Sequence, residues 1–154
     1  MAKLRAGDPA PDFALPGAGG RTHRLSDHRG EWVALAFYPA DFSPGCTRQL
    51  CSYRDRGPEL GEAEVTLLGI SPQGAESHER FAAAHGLEMP LLADENRAVA
   101  RAYGVIGPGG VIRRSVVIVD PEGGVRHVER SLIGLGYMDG EEIASRVRAL
   151  REGG

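Results

Sequence analysis

The 154 residues carry 18 lysines and arginines against 21 aspartates and glutamates, and 42% of the residues are hydrophobic. This length suits one domain with its own core, so we expect a single domain over residues 1–154. A net charge of −3 with scattered basic residues argues against a nucleic-acid surface. No apolar run approaches the roughly 20 residues of a membrane-spanning helix, and the first five residues do not resemble a secretory signal. We therefore expect a cytoplasmic protein with no membrane association.

The predicted elements alternate between strands and helices. Residues 32–38 form a near-continuous apolar run ended by Pro39, which is typical of a strand buried on both faces. Pro44 suits the first turn of the helix that follows. The pattern predicts an α/β sandwich around a mixed sheet. The predicted strands cover residues 13–15, 21–25, 32–38, 65–70, 91–92, 115–119 and 125–128, and the predicted helices cover residues 44–61, 76–85 and 96–103, with a terminal helix between Asp139 and Gly153.

Only two cysteines occur, Cys46 and Cys51, five positions apart. In a reducing cytoplasm such a pair is seldom a structural disulfide, and two thiols without neighbouring ligands make a poor zinc site. Redox chemistry and two inert buried thiols stay open at this point. Cys46 falls in the first turn of the predicted helix, where the helix dipole and the unpaired N–H groups stabilise a thiolate, the reactive form of cysteine.

Around the first cysteine, residues 39–46 read Pro-Ala-Asp-Phe-Ser-Pro-Gly-Cys. This segment resembles the peroxiredoxin signature Pro-x3-Thr/Ser-x2-Cys. A second cysteine at position 51, followed by Tyr-Arg-Asp, resembles the subgroup called bacterioferritin comigratory protein or peroxiredoxin Q. The resemblance extends over about residues 4 to 130, with further matches at residues 9–13, 25–27, 69–71, 91–94, 103–105 and in the strand ending at Asp120.

The resemblance implies a thioredoxin-like three-layer sandwich with a central mixed β-sheet. It also implies an antioxidant thiol peroxidase that reduces hydrogen peroxide and organic hydroperoxides and contributes to redox homeostasis. Cys46 would be the peroxidatic residue and would become a sulfenic acid. Cys51 would then resolve it as an intramolecular disulfide, which thioredoxin would reduce, with glutaredoxin or a small thiol as other candidates. No metal or organic cofactor is required, and a monomer is expected, although dimers occur among relatives.

Three further residues acquire roles from the same resemblance. Ser43 would hydrogen-bond the thiolate and the incoming peroxide, and Pro39 would shield the pocket from water. The family's arginine lies six positions before the aspartate that ends the strand, which selects Arg114 over Arg113. Its guanidinium would pair with the thiolate and with the departing oxygen.

A disulfide between the two cysteines requires a conformational change. Residues five apart on an intact helix have Cα atoms roughly 8.7 Å apart, whereas a disulfide requires about 4.4–6.8 Å. We therefore predict a rearrangement on oxidation that is confined mainly to residues 43 to 55.

Simpler interpretations stay open. Cys51 could be idle while an external thiol resolves Cys46, Ser43 could serve only as a helix cap, and Pro39 could only end a strand. A disulfide oxidoreductase shares the implied fold, but such proteins normally carry Cys-x2-Cys, and a non-catalytic redox sensor would use the same cysteine. The five histidines show no metal-ligand spacing, so we expect surface or turn positions for His23, His28, His78, His85 and His127.

Overall fold

The computed structural model describes residues 4–17, 21–130 and 138–153. The strands are β1 (Ala14–Pro16), β2 (Thr22–Arg24), β3 (Trp32–Phe37), β4 (Val65–Ser71), β5 (Leu91–Ala93), β6 (Ser115–Val119) and β7 (Val125–Arg130). The helices are α1 (Pro44–Asp55), α2 (Gly57–Glu62), α3 (Ala75–His85), α4 (Ala98–Ala102) and α5 (Gly140–Glu152), and short 3-10 turns cover Leu25–His28 and Pro108–Gly110. No helix in these ranges is both long and apolar enough to cross a membrane.

A five-stranded sheet in the order β5-β4-β3-β6-β7 forms the centre of the molecule. β3 lies in the middle, parallel to β4 and antiparallel to β6, so the sheet is mixed as predicted. All six residues of β3 are buried, which agrees with its unbroken apolar sequence. β1 and β2 pair separately as a small antiparallel hairpin.

Two apolar clusters cover opposite faces of the sheet, because successive strand residues point to opposite sides. Ala34 and Ala36 face a cluster that includes Leu50 of α1, Phe81 of α3 and Ile143 of α5. The alternate β3 residues face a second cluster, to which α4 and the N-terminal segment contribute Val99, Ala100, Phe13 and Leu15. The predicted three-layer α/β sandwich is therefore confirmed.

The helix predicted over residues 44–61 is interrupted. α1 ends at Asp55, and Arg56 leaves helical geometry with φ −103° and ψ 19° before α2 begins at Gly57. Pro58 accounts for the break, because it has no N–H to donate to the carbonyl of Arg54, whereas in the first turn of α2 a missing N–H is tolerated. The cysteine-bearing helix is consequently a separate helix of 12 residues that ends at Asp55.

The terminal helix has the predicted boundaries. Asp139 accepts a hydrogen bond from the N–H of Glu142, whose side chain reaches back to Asp139 as in a capping box, and Gly153 follows the last helical residue. Met138, just before this helix, is 3% exposed and belongs to the core. From the sequence, the neighbouring Tyr137 could pack onto the core or lie at a contact, but it lies outside the described residues.

Candidate active site

The candidate site forms where the carboxyl end of β3 meets the beginning of α1. Residues 38–43, the β3–α1 loop, connect these two elements. β6 runs antiparallel to β3, so its first residue, Ser115, pairs with the last residue of β3, Phe37. Arg114 directly precedes Ser115, and the sheet register therefore brings it to the start of α1.

Cys46 is the third residue of α1 and is completely buried. Ser43 caps the helix: its Oγ accepts a hydrogen bond from the Cys46 N–H at 3.3 Å and donates one to the carbonyl of Ala40 at 3.1 Å. Pro44 occupies the first helical position, where a residue without an N–H is favoured. The capped terminus directs the positive end of the helix dipole towards the Cys46 sulfur.

Arg114 supplies a full positive charge at the same sulfur. Its Nη2 lies 3.3 Å from Cys46 Sγ, and the residue is only 9% exposed. Gly45 leaves the space for this contact, since a Cβ built there would lie 2.5 Å from Nη2 of Arg114. Arg113, the alternative in the sequence, has its side chain beside Gly107 instead. The guanidinium and the helix terminus together place positive charge at the Cys46 sulfur.

The two remaining residues of the signature are Ser43 and Pro39. Among the described residues, the Ser43 hydroxyl bonds only backbone atoms, which is the helix-cap arrangement that the sequence left open. Pro39 is half-buried and follows Tyr38, whose N–H donates to the carbonyl of Ile70 at 3.0 Å. Pro39 therefore comes where the chain leaves the sheet for the loop.

Cys51 is not brought to Cys46 in this structure. Both cysteines are free thiols on the intact helix α1, Cys46 buried and Cys51 half-buried. An offset of five residues turns their side chains roughly 140° apart around the helix axis. The structure is therefore that of the reduced protein, with α1 folded.

The sequence analysis does not predict the buried polar cluster that lies behind the β3–α1 loop. Asp41 Oδ2 lies 2.8 Å from His78 Nδ1 and accepts a hydrogen bond from Ser77 Oγ at 2.7 Å. Its Oδ1 accepts one from the Tyr38 hydroxyl, also at 2.7 Å. The surface position expected for His78 is wrong, because the residue is only 1% exposed. Its spacing from Phe81, on the buried face of α3, is the signal that could have placed it inside.

The electrostatics of this cluster favour an ionised carboxylate. Burial opposes ionisation of Asp41, yet the hydrogen bonds from His78, Tyr38 and Ser77 hold the pKa of Asp41 below its usual value. Burial, together with the Asp41 carboxylate, raises the pKa of Tyr38, so its hydroxyl stays protonated and donates. Asp41 is therefore a negative charge enclosed by three donors.

The fold and the buried cysteine at a helix terminus define a class of thiol-dependent enzymes, and the family comparison agrees. The model of the AhpC/TSA family matches residues 6–128. The chain belongs to this family and is a peroxiredoxin, with the thioredoxin-like fold and the thiol-dependent peroxidase activity of that class.

Its relatives include members of the subgroup suggested by the spacing of the two cysteines. Peroxiredoxin Bcp of Escherichia coli is 39% identical over 135 residues, which cover 83% of this chain and 86% of that protein. Peroxiredoxin Bcp of Bacillus subtilis is 36% identical over 127 residues, covering 78% and 81%. A solved structure of the Xanthomonas campestris bacterioferritin comigratory protein, 30% identical, superposes with a TM-score of 0.85 over 94% of this chain and 98% of that one.

Proposed function

We propose that Cys46 is the residue that attacks the hydroperoxide. The observation that carries this assignment is the 3.3 Å approach of Arg114 Nη2 to Cys46 Sγ, at the third position of a helix capped by Ser43. Arg114 and the helix terminus stabilise the thiolate before the reaction. The same guanidinium is positioned to stabilise the charge that develops on the oxygen that leaves.

The proposed first step is a displacement at oxygen. The Cys46 thiolate attacks one peroxide oxygen, the S–O bond forms while the O–O bond breaks, and the departing oxygen takes a proton from solvent to leave as water or an alcohol. Cys46 is oxidised to the sulfenic acid by two electrons, and the peroxide is reduced by two. In this step Ser43 orients the helix terminus and turns its hydroxyl towards the peroxide, and Pro39 limits the access of water.

The second step joins the two cysteines. The Cys51 thiolate attacks the Cys46 sulfur, the S–S bond forms while the S–O bond of the sulfenic acid breaks, and the departing hydroxide takes a proton from solvent to leave as water. The intact α1 of the reduced protein keeps the two residues too far apart for this bond, so residues 43 to 55 must rearrange. The break at Arg56 supports the proposal, because it lets α1 unwind without carrying α2 with it.

Substrate, reductant and setting are also part of the proposal. We assign hydrogen peroxide and small organic hydroperoxides as substrates, and the Xanthomonas relative has alkyl peroxide reduction activity. Thioredoxin is the proposed reductant of the disulfide, with glutaredoxin or a small thiol as the other candidates. We propose that residues 1–154 act as one domain, in monomeric form, in the cytoplasm.

The test is rapid-quench oxidation of the wild type, Cys46→Ser and Cys51→Ser by hydrogen peroxide, alongside thioredoxin-coupled turnover. We expect rapid thiol oxidation that only Cys46→Ser abolishes, and turnover that Cys51→Ser impairs. Full turnover by Cys51→Ser would show that an external thiol resolves Cys46. Equally slow oxidation of all three proteins would refute the assignment of Cys46.

A further inference from the structure

The ion pair between Asp41 and His78 is a buried charged contact that the proposed chemistry does not use. Both side chains are almost fully shielded from solvent, and their atoms approach to 2.8 Å. Taking two charges out of water is costly and is repaid only when the geometry satisfies both groups. A pair that includes a residue of the loop before Cys46 therefore calls for an explanation beyond stability.

Hydrogen bonds at both ring nitrogens specify the state of His78. Nδ1 faces the carboxylate of Asp41, and Nε2 lies 3.1 Å from the carbonyl oxygen of Leu92 in β5. Both partners are acceptors, so both ring nitrogens are placed to donate, which is an arrangement that a protonated ring satisfies. The pair consequently forms a continuous link from the β3–α1 loop, through α3, to the sheet.

The loop that this link holds contains the proposed catalytic groups. Asp41 lies midway between Pro39 and Ser43, two residues from each. Phe42, next to Asp41, has a left-handed backbone with φ 65°, which is unfavourable for an aromatic residue and persists only when its surroundings hold it. The loop therefore depends on its contacts for its shape.

Those contacts converge on one face of α3. Ser77 and His78 bind the Asp41 carboxylate, while the Phe42 ring packs against Phe81 at 5.1 Å between centroids. His78 lies three positions before Phe81 and Ser77 lies four before it, which are the spacings of neighbours on one side of a helix. One face of α3 therefore packs against the β3–α1 loop and supports it.

We infer that His78 is a positioning residue for peroxide attack: through Asp41 it holds the β3–α1 loop in the shape that places Pro39 and Ser43 at the Cys46 sulfur. The inference rests on the proposed role of Cys46 as the attacking thiol. Removal of His78 leaves a buried carboxylate without its counter-ion, and the loop must open to hydrate it. Loss of alignment at a reacting centre by about 1 Å can cost on the order of 100-fold in rate.

Two reactions of the same sulfur separate positioning from general stability. Peroxide oxidation requires the aligned loop, whereas alkylation by iodoacetamide requires only a thiolate that the reagent can reach. An opened loop exposes Cys46, which is fully buried in the wild type. In His78→Leu we expect oxidation by hydrogen peroxide to fall roughly 100-fold while alkylation becomes faster.

Conservative and control variants complete the experiment. His78→Asn keeps an N–H directed towards Asp41, and we expect it to recover about tenfold of the lost rate, as one retained hydrogen bond to a charged group allows. His127→Gln, on the edge strand β7, is the control and should change neither reaction. Asp41→Asn should lose as much as His78→Leu, and the double variant no more, because the two residues act as one unit.

Unchanged oxidation and alkylation in folded His78→Leu would overturn the inference, as would losses that multiply in the double variant. If His78→Leu does not fold, His78→Asn is used alone, and wild-type rates for both reactions would overturn the inference. Slow oxidation of the wild type itself, unaffected by Cys46→Ser, would instead refute the proposed function. The two failures are therefore distinguishable.

Discussion

The two halves of α1 are held in different ways. At the first turn, Cys46 lies against the guanidinium of Arg114, and the preceding loop is tied to α3 by an ion pair from Asp41 to His78. The second half carries no buried charge among the described residues and is held by apolar packing, to which the fully buried Leu50 contributes about 1.5–3 kcal/mol.

Neutral hydrogen bonds complete the attachment of the second half. Gln49 Nε2 donates to the Tyr53 hydroxyl, which in turn donates to the carbonyl of Met138, both at 2.9 Å. Gln49 Oε1 is buried and accepts no hydrogen bond within the described part of the chain. This attachment uses neutral hydrogen bonds and apolar contacts, whereas the first turn is held by charged groups. The contrast matches the two proposed steps, since attack needs a fixed first turn and disulfide formation needs the rest of α1 to be released.

Removing the charge at the first turn is expected to have the largest effect. Arg114→Met should slow oxidation of Cys46 by about 100- to 1000-fold, the loss typical when one group that stabilises a transition-state charge is removed. Stopped-flow oxidation by hydrogen peroxide measures this loss. Arg113→Met is the matched control, because it removes the same charge one position away, and it should react at close to the wild-type rate. Equal losses in the two variants would contradict the assignment of Arg114.

Placing an extra methyl group against the Arg114 guanidinium is expected to have the next largest effect. In Gly45→Ala the added Cβ meets the Arg114 guanidinium and displaces it, so oxidation of Cys46 should slow by about 10- to 100-fold. Gly61→Ala in α2 is the matched control, because a Cβ there has no neighbour within 4 Å. The control should gain up to about 1 kcal/mol from helix propensity and keep its oxidation rate. A wild-type oxidation rate in Gly45→Ala would show that the close approach of Arg114 is dispensable.

Much of the fold and part of the site could be predicted because their signals are local. The apolar run of β3, the proline at the start of α1 and the capping residue Asp139 each act through neighbours in the chain. Cys46 was recognisable from its place after a buried strand. Arg114 was not recognisable in this way, because 68 positions separate it from Cys46, and it was selected by the family resemblance.

What the sequence did not reveal depends on packing between distant segments. Asp41 and His78 are 37 positions apart, and nothing near either residue indicates that α3 packs under the β3–α1 loop. The break at Arg56 is a different case, because Pro58 marks it locally in the sequence. Buried polar pairs are therefore the part of this site that only the three-dimensional structure reveals.

Removing the cap at the first turn should have a smaller effect. Ser43→Ala loses the hydrogen bond from the Cys46 N–H, which costs about 1 kcal/mol of stability, and it also loses the hydroxyl proposed to meet the peroxide. We expect oxidation to slow by about tenfold, the loss of roughly 1.4 kcal/mol that one hydrogen bond accounts for. Ser43→Thr keeps the hydroxyl and should retain nearly the full rate. A loss of stability without any loss of rate would mean that Ser43 acts only as a cap.

The smallest expected effect concerns the second half of α1, and here the substitution should raise a rate rather than lower it. Tyr53→Phe removes the hydroxyl that joins Gln49 to Met138, so folded α1 loses about 1 kcal/mol relative to the unwound form. We expect the Cys46–Cys51 disulfide to form about fivefold faster after sulfenic acid formation, as this free energy allows, with the rate of peroxide attack unchanged. Acid quench and mass spectrometry measure both rates.

Tyr103→Phe removes a similar hydroxyl, bonded to the Pro11 carbonyl on the opposite face of the sheet, and should not alter disulfide formation. Equal acceleration in both variants would attribute the effect to overall stability, whereas acceleration confined to Tyr53→Phe would locate the resistance to disulfide formation in the attachment of α1.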